Sequence, residues 1–298
     1  VTTTRLKILK SISYFDIFNH PLKKDELINL CTDNGAYQDF VTILDKLVDE
    51  EVCFKKDEYY SLNKDIANLV ELRKVNQIEA KKYFRKLPFY VRIIKSFPFV
   101  RGVAISGSLS KNIMLDDGDI DYFIVTAPDR LWICRTLLIF FKKVFLFNSR
   151  KYFCLNYFVD ENNLKIVDEN IFTAIEITHM LPVYNTPLIK DLKETNSWTK
   201  QYFPNFRHPI NLKPIEGRNG LKSFAEWFFK GSLGDRLDLY FMRITLKRWL
   251  NKFRHFDSSK FELTMRTNRG VSKHHPQDFQ NKVLEEYNVR LNKLDIIE

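Results

Sequence analysis

Along this chain, apolar residues recur every three or four positions near the start and through much of the second half, whereas the middle contains short, nearly continuous apolar runs. In RLKILKSISYF the spacing predicts an amphipathic helix, Asn19-His20-Pro21 marks a turn, KKDELINLC predicts a second short helix, and DFVTILDKLVDEE a third. VCFKK and DEYYSL then read as two short strands around a charged turn. Residues 64–96 are again helical in pattern and rich in Lys and Arg, with Pro88 expected to end or kink the helix. The period changes at Val103, Ala104 and Ile105, a short strand that stops at Ser106-Gly107-Ser108. DIDYFIVT predicts a second strand, the run LWICRTLLIFFKKVFLF at 131–147 a helix, and YFCLNYFV a third strand. Beyond Leu164 the pattern is helical to the end, through NIFTAIEITHML, LKSFAEWFF, LGDRLDLYFMRITLKRWLNKF and QDFQNKVLEEYNVRLNKL, with prolines at 182, 187, 204, 209 and 214 punctuating it.

Three helices closed by a hairpin is the order of a winged helix, and strand, loop, strand, helix, strand is the order of an α/β core. The chain is therefore expected to be α+β: a winged-helix-like domain over 1–63, a bridging helix with a mixed sheet and flanking helices over 64–167, and a helical C-terminal region over 168–298. A winged helix would read duplex DNA through its third helix, but that helix offers Asp39, Asp45, Asp49, Glu50 and Glu51 against Lys46, so packing or protein contact is the favoured role. The apolar run at 131–147 is interrupted by Arg135, Lys142 and Lys143 and is barely long enough to span a bilayer, so a buried or interfacial helix is expected rather than a transmembrane segment.

The 298 residues suit two or three packed domains, and 45% hydrophobic residues with 26 Phe and 13 Tyr give enough apolar surface to exclude disorder. A net charge of +10 favours an anionic partner such as a nucleotide, a nucleic acid or an acidic surface. The four cysteines, Cys31, Cys53, Cys134 and Cys154, form no CxxC pair, which argues against a zinc site or a disulfide framework. With VTTTRLK lacking the apolar core of a signal peptide, a reducing cytoplasm is the expected setting.

The chemistry concentrates around Gly107-Ser108 and Asp119-Ile120-Asp121, which leave ten residues between Ser108 and Asp119. Alternate strand residues share a face, so Asp119 and Asp121 project together while Ile120 enters the core. Two such carboxylates can hold Mg²⁺, whose octahedral shell is completed by water and substrate phosphate oxygens. Glycine permits close approach of backbone to a phosphate, Ser108 adds a hydroxyl donor, and Lys111 in the same loop is a further phosphate contact.

SGS, then DIDYFIV at this spacing, resembles the nucleotidyltransferase superfamily that includes DNA polymerase β and the minimal nucleotidyltransferases, over about residues 100–160. The resemblance implies that Gly107 and Ser108 grip a nucleoside triphosphate, that Asp119 and Asp121 hold two Mg²⁺ ions, and that a nucleotidyl group passes to an acceptor hydroxyl. An RNA end such as tRNA is mildly favoured as acceptor by the basic charge. The family also carries a third carboxylate on the next strand, where this chain has Asn156, a possible metal ligand through its carbonyl but not a base; Asp160 and Asp168 are the nearby acids. The alternative is a nucleotide-sensing regulator, or a DNA- or partner-binding one, with a degenerate transferase site.

Other candidates are weaker. His20, His179, His208, His255 and the pair His274-His275 lack metal-ligand spacing and read as surface or capping residues. Arg243, Lys247, Arg248, Lys252 and Arg254 around Trp249 could grip an acceptor, although a solvated helix face with a buried Trp is favoured. Arg266, Arg269 and Lys273 surround Gly270 in an expected loop, and Glu176 sits among apolar neighbours where it could face a cleft or pair at its edge.

Overall fold

A computed structural model describes residues 3–31, 37–217 and 220–296. Its N-terminal part consists of α1 (Thr3–Asp16), β1 (Leu22–Lys23), α2 (Lys24–Cys31), α3 (Tyr37–Asp49), β2 (Phe54–Lys56) and β3 (Tyr59–Ser61). Three helices thus accompany a small antiparallel sheet in the order β1-β3-β2. The helices form where the apolar spacing predicts them. Ile8, Ile12 and Phe15 of α1 and Phe40, Leu44 and Leu47 of α3 recur at helical intervals and are buried together. Their core does not end at residue 63, because Ala174, Ile175, Val283, Tyr287 and Leu291 belong to the same cluster.

The long α4 (Ile66–Ser96) follows and continues past Pro88, so the proline does not end it. Tyr83, Leu87, Val91 and Ile94 are all buried on the sheet side, and this packing holds the helix together across the one backbone bond the proline cannot make. The chain then supplies β4 (Val100–Ser106), the short α5 (Gly107–Ser110), β5 (Asp121–Thr126), α6 (Leu131–Phe145), β6 (Cys154–Asp160), α7 (Ile171–His179), β7 (Leu181–Tyr184) and α8 (Thr186–Thr195). It ends with α9 (Gly220–Phe228), α10 (Ser232–Lys252), α11 (Ser258–Met265), β8 (Val271–Lys273) and α12 (Phe279–Lys293).

The main sheet has five strands in the order β7-β4-β5-β6-β8 and is mixed, with β5 and β6 parallel and the other neighbours antiparallel. Both edge strands come from the region expected to be wholly helical. β7 contains Pro182, which reads as punctuation in the sequence but is tolerated on an edge, and β8 is three residues long, too short to show a period. The apolar run at 131–147 is a helix packed against the sheet and α10, and among the described residues no helix is long and apolar enough to cross a membrane. Its first turn is pinned by Asp238 of α10, whose Oδ1 accepts from the backbone N–H groups of Trp132 and Ile133 at 2.8 and 2.9 Å.

Candidate functional site

Three central strands end at one place. Ser106 at the end of β4 lies opposite Asp121 at the start of β5, which in turn pairs with Cys154 at the start of β6. Strand β5 begins at Asp121, so Asp119 belongs to the approach rather than to the strand. Ile120 between them is fully buried, and its backbone is tied on both sides, its N–H donating to Lys151 and its carbonyl accepting from Cys154. The preceding loop is held from α4, where Asn76 accepts from the Met114 N–H and the Tyr83 hydroxyl donates to the Gly118 carbonyl. Asp119 and Asp121 are therefore fixed by backbone, not only by their own contacts.

The turn after β4 depends on glycine. Gly107 has φ +66°, and a Cβ there would lie 2.4 Å from Asp121 Oδ2, so a larger residue would meet both left-handed strain and the carboxylate. Close approach of the turn to Asp121 is what the glycine provides. Ser108 borders the same cavity, and its hydroxyl makes no hydrogen bond among the described residues.

Asp119, Asp121 and Cys154 each offer one ligand atom, and these atoms lie within 4.8 Å of one another. Cys154 is the member that the sequence reading missed; its place follows from the parallel register of β5 and β6, which no local motif encodes. Burial, followed by the neighbouring charges of Asp121 and Asp119, pushes its thiol well up, so it is neutral in the metal-free site. Asn156 lies beside the cluster with Nδ2 donating to Asp121 Oδ1 at 2.9 Å. Withdrawal from water, then repulsion from Asp119 and Glu176, raises Asp121 to about 7 despite hydrogen bonds from Cys154 and Asn156. A carboxylate in that state gains from a cation. The two carboxylates suit Mg²⁺, which takes oxygen ligands and leaves a neutral thiol as a neighbour.

Neither acid considered as a substitute for Asn156 joins the pair. Asp160 is at the far end of β6, accepting from Asn162 N and Asn163 Nδ2. Asp168 is held by Arg266 and by Lys273 Nζ, the latter at 2.9 Å, while Arg269 and Gly270 lie in the expected loop, where Arg269 pairs with Asp129. The nearby acid is Glu176 on α7. Its carboxylate accepts from Gly107 N at 2.9 Å and from Lys111 Nζ at 2.7 Å, and despite burial the Lys111 charge holds it below the usual range.

These groups line a cavity of about 1120 Å³. Its floor is the Asp119 and Asp121 pair; one wall carries Gly107, Ser108 and Lys111, and another is formed by α6 and α10 with Arg135, Lys142, Arg248 and Lys252. Trp249 is buried, while Arg243, Lys247, Arg248, Lys252 and Arg254 are exposed. His255 is exposed as expected, but His20 and His179 are buried, and His208 bridges the carbonyls of Ser110 and His179 through Nε2, each at 3.0 Å. Burial lowers His20, His179, His208, His274 and His275, leaving them neutral structural groups. The chain matches no family model, no curated protein and no solved structure.

Proposed function

We propose that this cleft is a nucleotidyltransferase-type site, in which Asp119 and Asp121 bind divalent metal beside a triphosphate seated on the Gly107-Ser108 turn. The observation that carries the reading is the contact between the two halves: the glycine turn lies directly against Asp121, so a phosphate on the turn is within reach of a cation on the carboxylates. The free Ser108 hydroxyl and Lys111 add donors on that wall. Bound metal would supply charge neutralisation on the phosphates and acidify the acceptor hydroxyl.

The protein's own groups chiefly position and screen. In the transfer, the acceptor oxygen forms a bond to the α-phosphorus, the bond from that phosphorus to the bridging oxygen breaks, and pyrophosphate departs with the electron pair; the hydroxyl proton passes to solvent. Glu176 holds the donors that a phosphate would use, so triphosphate binding exchanges one anion for another at Gly107 N and Lys111. Incubation with labelled nucleoside triphosphates, Mg²⁺ and total RNA or small hydroxyl acceptors tests this. Transfer abolished by Asp119→Ala is expected; no transfer to any acceptor, with wild type and variant alike, would overturn it.

A second reading, a nucleotide-sensing regulator with a degenerate site, is favoured by Asn156 standing where the family has an acid and by Glu176 already filling the turn. The acidic exposed face of the third helix in the N-terminal module, with Asp39, Asp45 and Asp49, favours partner contact over duplex DNA for a winged-helix-like unit.

A further inference from the structure

Four basic side chains are buried among the described residues: Arg73, Arg135, Lys142 and Lys273. Two of them are answered by acids, Arg73 by Glu26 and Lys273 by Asp168. The other two have no acid in contact among the described residues. Arg135 and Lys142 are 9% and 7% exposed, and neither makes a hydrogen bond or ion pair with a described residue. Both lie on α6, seven residues and so about two turns apart on one face, and both line the cavity that holds Asp119 and Asp121.

The stems of Arg135 and Lys142 are buried while their charged ends open on one cavity, so among the described residues that cavity holds two cations in no ion pair, a setting that an anion completes. The Arg135 guanidinium lies over Trp249 and Trp132, 4.8 and 5.6 Å from the ring centroids, which holds it in place but gives it no counter-charge. Burial brings Arg135 down to about 10 and lowers Lys142. The site is built: Asp238 pins the start of α6, and Trp249 of α10 backs Arg135.

The position also separates this wall from the turn. Gly107, Ser108 and Lys111 follow β4 on one side of Asp121, whereas α6 packs on β6 on the other, where Lys142 lies within the field of Asp119. The carboxylate pair is flanked by two anion-binding walls. On the nucleotidyltransferase reading, the first is for the donor triphosphate, and we infer that Arg135 and Lys142 form a phosphate subsite for the acceptor. The acceptor is then a phosphorylated molecule, with a phosphate near its reacting hydroxyl, as in a free nucleotide or an RNA end. Exposed Arg150, Arg248 and Lys252 at the rim can accompany further phosphates of a longer strand.

The test is calorimetric titration of the metal-free full chain with a ribonucleoside monophosphate and with a short oligoribonucleotide. Wild type and Asp119→Asn are expected to bind, while Arg135→Met and Lys142→Met each weaken binding at least about tenfold, the loss expected for a hydrogen bond to a charged group. Tighter, salt-sensitive binding of the oligonucleotide identifies an RNA end; equal binding of the two identifies a free nucleotide. Arg135→Met should melt no lower than wild type, since it breaks no ion pair and the thioether can keep the packing on Trp249, and Lys142→Met reads the same subsite independently of that variant's folding. No binding of either probe by wild type, or unchanged binding by both cation variants, would overturn the subsite. Binding that survives in a protein with no transfer activity would instead count against the transferase reading alone.

Discussion

Two buried arginines divide the molecule. Arg73, where α4 meets the N-terminal module, is gripped by both oxygens of Glu26 and by the Pro21 carbonyl, and nearby Asp16 accepts from Ser61 Oγ and Leu62 N. Arg135 in the cleft has two tryptophan faces and, among the described residues, no acid in contact. Around the first, charge is used to fix one helix against another and is answered within the chain; around the second, charge is held ready and left unanswered. The carboxylates repeat the contrast, since Asp119 and Asp121 repel one another across the cleft floor. Unanswered charge is destabilising in the free protein and useful once a ligand supplies the opposite sign.

The largest effect on this comparison should come from Asp119→Ala, which removes a proposed metal ligand: the proposed transfer activity is expected to fall about 10³-fold or more in a steady-state assay, with the fold intact by circular dichroism. Next comes the sign difference between the arginine sites. Glu26→Ala strands Arg73 and should cost about 2 kcal/mol by urea denaturation, the partial exposure of Glu26 moderating the penalty for breaking a buried pair. Arg135→Met should cost nothing or stabilise. Equal losses at both sites would erase the distinction between the two regions.

Asp121 adds a pH signature. Its folded carboxyl titrates at about 7, above the ordinary value of 3.8, so the folded state carries the full cost of ionising it above about pH 7. That cost shrinks as the pH falls, because the folded group becomes protonated while the unfolded one is still charged, and it is gone below the ordinary carboxylate range. Asp121→Asn should therefore raise the melting temperature of the metal-free protein by about 3 °C at alkaline pH, the gain fading on acidification. The smallest expected effect is at Glu176→Gln. Removal of the competing anion on Gly107 N and Lys111 should tighten triphosphate binding about tenfold, read as a fall in Kd; weaker binding would give Glu176 a supporting role instead.

The sequence made half of this site legible. Gly107, Ser108, Asp119 and Asp121 lie close together in the chain, and strand alternation around the buried Ile120 is a local signal. Cys154 became a neighbour only through the β5 and β6 register, and Glu176 through the way α7 crosses behind the turn. Arg135 and Lys142 were visible as interruptions of an apolar run, but interruption alone does not say whether a cation faces water, an acid or a cavity. The N-terminal helices followed their apolar spacing, whereas α4 passed Pro88 because long-range burial outweighed one lost backbone bond. β7 and β8 were hidden by brevity and by Pro182.

The most direct test of the central claim is titration of wild type and Asp119→Asn with a non-hydrolysable nucleoside triphosphate, with Mg²⁺ and with chelator. Binding is expected to require Mg²⁺ and to weaken about 100-fold or more in the variant. Triphosphate binding of equal strength in both proteins, with or without the metal, would contradict it.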